Sequence, residues 1–231
     1  ERPRSNRPKP PLPPHVAAKL SVRILCREMT PASPPDLIAI DGPAASGKST
    51  VGQILAHRLG YRFLDTGLMY RAFTLAALRA EVAATDAAAA PLAATIDMRL
   101  SVGERTHVLL GDEDVTALLH TSAIEQHVSA YSSLPSVRAA MRARQREYAS
   151  GGKAILAGRD IGEVVLPEAA LKFYLDASEE AREARRRGER TEDHIELGRA
   201  LRTRDRRDAA QTFRPGDAVN IDTTHLTLDE V

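Results

Sequence analysis

The sequence predicts an α/β fold, a parallel sheet flanked by helices. A short apolar run, Leu37-Ile-Ala-Ile40, reads as a buried strand and leads straight into a glycine-bearing loop. A helix over Lys48–Leu59 and a second strand over Arg62–Asp65 follow, and strand–loop–helix–strand–helix is how such folds open. Two later apolar runs, Ala154–Ala157 and Leu171–Leu175, supply further core strands.

The first helix places Val51, Ile54, Leu55 and Leu59 on one side, and Gly60 is its expected stop. Thr66-Gly67 reads as a turn and Leu68–Arg79 as the next helix. The alanine-rich stretch 81–95 gives no clear period. Met98–Val102 and His107–Leu110 read as short strands of a small insert, with Gly103-Glu104 as the turn between them. Pro135–Tyr148 reads as a helix with proline in its first turn. Ser178 is a good N-cap, with Glu179 and Glu180 suiting the helix dipole. Ala218–Ile221 reads as a last strand, and a final helix is expected to begin near Val231.

Composition bounds the function. The chain of 231 residues suits one domain, and 43% hydrophobic residues can fill a core. With 4% aromatics and no Trp, that core is aliphatic. A net charge of +1 gives no reason to expect nucleic-acid or membrane partners, and no run reaches a membrane span. The single cysteine, Cys26, excludes an internal disulfide framework and fits a reducing, cytosolic setting. Residues 1–35 hold nine of the fourteen prolines and seven Lys or Arg against two acids, too little apolar surface to fold alone. A disordered tail, a targeting sequence and translated sequence upstream of a start at Met29 are three open readings of it.

Gly42-x-x-x-x-Gly47-Lys48-Ser49 fits the phosphate-loop pattern. Its glycines let backbone N–H groups approach phosphate oxygens, and the loop enters a helix N-terminus that favours an anion. The expected nucleotide cradle is Gly42, Pro43, Ala44, Ala45, Ser46, Gly47, Lys48, Ser49 and Thr50. Lys48 reaches the outer phosphates, and the Ser49 hydroxyl can ligate Mg²⁺. The donor is then a nucleoside triphosphate, ATP in a kinase. No Asn-Lys-x-Asp guanine-reading motif follows a strand.

Leu64-Asp65-Thr66-Gly67, followed by Tyr70-Arg71, falls at the carboxyl edge of the sheet, where ligands bind. Asp65 can hold Mg²⁺ through water, and Arg71 can take a phosphate in bidentate fashion. Gly158-Arg159-Asp160-Ile161-Gly162 follows another strand at the same edge. Ten arginines lie within 182–207, interleaved with acids. They read either as a salt-bridged helix pair or as a mobile arm over phosphates.

Three runs, Ile38–Ser49, Phe63–Arg71 and Gly158–Pro167, together resemble bacterial cytidylate kinase from about Leu37 to Val231. Asp112–Val115 and Val128–Arg138 add to the match. The resemblance implies a phosphate-loop nucleoside-monophosphate-kinase fold spanning 36–231, with an acceptor-binding insert about 95–130 and an arginine-rich lid about 182–192. It implies transfer of the γ-phosphoryl of ATP, with Mg²⁺, to CMP or dCMP in a cytoplasmic monomer. Lys48, Arg159, Asp160 and Arg204 form the implied catalytic set. Ser129, Arg138 and Asp160 would read the cytosine, and Thr66 would supply a hydroxyl near the nucleotide. Arg71 and Arg159 would hold the acceptor phosphate, and Arg204 and Asp208 the sugar. Arg182, Arg185 and Arg186 would belong to the lid over ATP.

The chain departs from the family pattern at Gln211, where an arginine is usual, and at Ala157, where an acid often stands. Arg214 is the candidate substitute for the missing cation, and Gln211→Arg is expected to raise the rate. Two other readings stay open. One is a kinase for another small acceptor, and the other a nucleotide-binding homologue with impaired catalysis.

Overall fold

A computed structural model describes residues 35–102, 106–189, 202–203 and 205–231. The segment 1–34, the turn at Gly103-Glu104, Arg204 and the far end of the expected lid lie outside the described residues.

The main sheet has five strands, all parallel, in the order β2–β6–β1–β7–β8. They are β1 (Leu37–Asp41), β2 (Arg62–Asp65), β6 (Ala154–Ala157), β7 (Leu171–Asp176) and β8 (Val219–Asp222). Strand β1 is central because Ile38, Ala39, Ile40 and Asp41 are all buried. A strand covered on both faces has no need of polar alternation. Helices α1 (Lys48–Leu59), α2 (Thr66–Arg79), α3 (Asp86–Thr95), α4 (Ser122–Ser132), α5 (Pro135–Ser150) and α6 (Glu179–Glu189) surround it. One core cluster lies under α2, α3 and α5 and a second between α1 and the sheet. A separate antiparallel sheet holds β3 (Met98–Val102), β4 (Thr106–Leu110) and β5 (Glu113–Asp114). No helix among the described residues is long and apolar enough to cross a membrane.

Several expectations need correction. Helix α1 does not bury its large apolar residues. Its buried positions are Gly52 and Ala56, with Val51, Leu55 and Leu59 packed at the flank and Ile54 outside that cluster. Close approach is the reason, since a Cβ on Gly52 would lie 2.4 Å from the Phe63 ring. Thr66-Gly67 is no turn. The Asp65 carboxylate caps α2 by accepting from Gly67 N–H at 2.9 Å, so the helix starts at Thr66. The alanine-rich stretch is helix α3, whose Ala89 and Ala93 pack closely. The last strand is shifted by one residue, and the chain after it makes only a short 3₁₀ turn, Leu228–Glu230.

Candidate active site

The carboxyl ends of β1, β2 and β6 open into one cleft of about 610 Å³, a size that suits small ligands. Most of the sequence motifs converge there.

The phosphate loop runs from β1 into α1. Gly42 sits at φ 144° against the backbone of β7, and an added Cβ would lie 2.0 Å from the Leu175 carbonyl. Ala45 and Gly47 also have positive φ. Three consecutive loop carbonyls are held from behind. Arg182 Nη1 donates to Ala44 O at 3.2 Å, and Arg185 Nη1 reaches Ala45 O at 3.4 Å. The Thr223 hydroxyl accepts from Arg185 and shares its one proton between Asp176 O at 2.9 Å and Ser46 O at 3.2 Å. Carbonyls turned backward leave N–H groups facing the cleft, as an anion cradle requires. Lys48 Nζ donates to Pro43 O at 2.5 Å and to Ser46 Oγ at 3.3 Å. Arg182 and Arg185 thus brace the loop rather than reach over the nucleotide. Of the three expected lid arginines, Arg186 is the one that lines the cleft.

Ser49 Oγ donates to Asp65 Oδ2 at 2.5 Å. The two expected metal-ligating residues therefore meet at the cleft, one from α1 and one from β2. Thr66 lines the cleft, and its hydroxyl donates to Ala157 O at 2.9 Å, tying α2 to β6.

Asp160 is 5% exposed and collects two guanidinium groups from α5, Arg138 and Arg142. Arg138 also donates to Gln211 Oε1 at 3.2 Å and lies 5.9 Å over the Tyr70 ring. Arg159 pairs with Asp208 at 2.7 Å. Gly158 permits this loop, since a Cβ there would lie 2.6 Å from Thr66 Oγ1. Arg71 is buried at 5% exposure, donating to Leu119 O and to Glu125, both at 2.8 Å.

Not every expected residue reaches the cleft. Ser129 is buried on α4, whose lining positions are Val128 and Ser132. Arg204 lies outside the described residues. Arg214 is exposed and stacks 5.8 Å over Tyr174, so it does not stand in for a cation at the Gln211 position.

Sequence reading missed three groups. Asp41, fully buried at the end of β1, accepts from Ile161 N–H at 2.8 Å and Gly162 N–H at 2.7 Å. It ties the Arg159-Asp160 loop to the central strand. Burial pushes its carboxyl up to about 6, against the pull of those two N–H groups. An acid closing an apolar strand was the available signal. His120 lines the cleft, and desolvation and then Arg71 hold its imidazole below the usual histidine range. Glu125 had no sequence signal beyond its place in a first helical turn.

The family model for cytidylate kinase matches residues 38–231. The cytidylate kinase of Herpetosiphon aurantiacus is 44% identical over 208 residues, covering 85% of this chain and 91% of that protein. That of Listeria monocytogenes is 42% identical over 205 residues, covering 84% and 91%. That of Nocardia farcinica is 44% identical over 210 residues, covering 85% and 90%. The phosphate-loop geometry and the sequence likeness agree, and the chain belongs to the cytidylate kinase family.

Proposed function

We propose that the chain transfers the γ-phosphoryl group of ATP to CMP or dCMP, giving ADP and CDP or dCDP. The observation that carries this reading is the shared cleft. A phosphate loop lies on one side of it and the Arg138–Asp160 cluster on the other. Phosphoryl transfer needs in-line positioning and charge neutralisation, and it needs no protein nucleophile.

In this reading the loop 42–50 cradles the ATP phosphates and Lys48 leaves its resting contacts for the outer phosphates. Arg71 and Arg159 hold the acceptor phosphate. Asp160 and Arg138 present paired acceptor and donor groups to the cytosine edge, and Ser129 is assigned to the base with them. Asp208 faces the sugar, and Arg204 is assigned there with it. The small sheet β3–β5 serves as the acceptor-side insert of a domain spanning 36–231, and α6 begins the lid. The oxygen donors of Ser49 and Asp65 suit Mg²⁺, a hard cation bound by few protein groups plus phosphates. When bound, Mg²⁺ would neutralise charge between the outer phosphates. A monomer in the cytoplasm completes the proposal.

Purified protein with MgATP and each monophosphate in turn tests it. CMP and dCMP are expected to exceed UMP, AMP and GMP in ADP release by at least tenfold in kcat/KM. Equal turnover of AMP would favour another acceptor, and ATP binding without turnover would favour a homologue with impaired catalysis.

The Gln211 contact changes the expectation for Gln211→Arg. The amide oxygen accepts from Arg138, so an arginine would set a second cation beside it. We expect KM for CMP to rise about threefold to tenfold with KM for ATP unchanged, the scale of about 1 kcal/mol for one solvent-screened like-charge contact. A gain in kcat instead would mean that the new cation reaches phosphate.

A further inference from the structure

Glu125 puts a carboxylate on Arg71, the residue read above as the holder of the acceptor phosphate. It stands in the first turn of α4, and its Oε1 accepts from Arg71 Nη2 at 2.8 Å. The same oxygen lies 3.8 Å from Arg186 Nη2, on α6. The other terminal nitrogen of Arg71 donates to Leu119 O. Both fork nitrogens that would grip a dianion therefore already have protein partners.

A helix-dipole role accounts for a carboxylate in a first turn. It does not account for the aim of this one, between cations carried by two other helices. Among the described residues, His120 and Asp65 also act on this corner, and burial, then Arg71, hold the His120 imidazole below the usual histidine range.

We propose that Glu125 is a specificity-determining residue whose carboxylate competes with the acceptor phosphate for Arg71, admitting only an acceptor whose phosphate displaces it. A dianionic phosphate gains from both guanidinium groups and can displace the single charge of Glu125. A neutral nucleoside cannot. This rests on the reading that Arg71 holds the acceptor phosphate.

The test compares wild type, Glu125→Gln, Glu125→Ser and Arg71→Gln in steady-state kinetics, with inorganic phosphate as a competitor of CMP. Both Glu125 variants are expected to lower KM for CMP and the inhibition constant of inorganic phosphate by about tenfold, the scale of one lost charge contact. KM for ATP is expected to stay within twofold. A KM for CMP that is unchanged or raised in both variants overturns the proposal, because Glu125 then only supports Arg71. Arg71→Gln separates the two failures. If it raises KM for CMP while the Glu125 variants do not lower it, only the role of Glu125 falls. If it leaves KM for CMP unchanged, the acceptor phosphate lies elsewhere and both fall.

Discussion

Replacing Asp160 with alanine is expected to lower kcat/KM for CMP by about two to four orders of magnitude while ATP affinity stays within twofold. The carboxylate is 5% exposed and holds Arg138 and Arg142. Removing one partner of a buried charge cluster leaves uncompensated charge and costs about 3–5 kcal/mol. Part of that penalty falls on the fold, because Arg138 loses its orientation, and in the proposed reading part falls on the acceptor site, where the cytosine loses its acceptor group. The phosphate loop, the proposed ATP cradle, joins β1 to α1 and is braced by Arg182, Arg185 and Thr223, not by Asp160. Steady-state kinetics with CMP, beside calorimetric titration with an ATP analogue, separate the two effects. Wild-type CMP kinetics in Asp160→Ala would remove Asp160 from the site.

The second large effect is expected at Asp41. Its carboxylate accepts two backbone N–H bonds from the loop that carries Arg159 and Asp160. An asparagine there turns an NH₂ group toward one of those N–H donors and leaves a buried donor unmet. The cost is about 1–3 kcal/mol, and a displaced loop is expected to lower kcat for CMP by about a hundredfold. The pH dependence has a definite sign. Asp41 has a model-peptide value of 3.8 and rises to about 6 in the fold through burial. Between those values the folded chain binds the proton and the unfolded chain does not, so stability falls as pH rises. The contribution is whole below about pH 4 and is lost through pH 6, a span of about 3 kcal/mol at most. Asp41→Asn has no such titration. Its destabilisation relative to wild type is therefore expected to be greater at pH 4 than at pH 7 in urea unfolding. The opposite trend would show that Asp41 titrates without this burial penalty.

Features carried by local pattern were legible in the sequence. Leu37–Ile40, Lys48–Leu59, Ala154–Ala157 and two of the three small-sheet strands, β3 and β4, follow from apolar runs, whereas the two-residue β5 carries no such signal. The positive-φ loop that runs into α1 follows from the spacing of Gly42, Gly47, Lys48 and Ser49. Features set by distant contacts were not. The start of α2 depends on Asp65 capping Gly67, and the buried face of α1 depends on the Phe63 ring reaching Gly52. Neither shows in a hydrophobic period. The arginines and acids on the other wall of the cleft were legible as residue types, but their pairings were not. Arg138 finds Gln211 73 positions away, and Arg71 finds Glu125 54 positions away. The partners of those arginines decide which charges are available to a ligand.

The bracing of the phosphate loop from behind has a consequence for rates. Ala44, Ala45 and Ser46 keep their carbonyls tied to α6 and to the loop after β8. A cradle already in its binding shape sacrifices little chain entropy when the nucleotide arrives. Association of ATP should then approach an encounter-controlled regime, with a single exponential whose rate constant grows linearly with concentration. Loosening the brace with Thr223→Val should bend that plot toward a plateau, as a conformational step begins to precede capture.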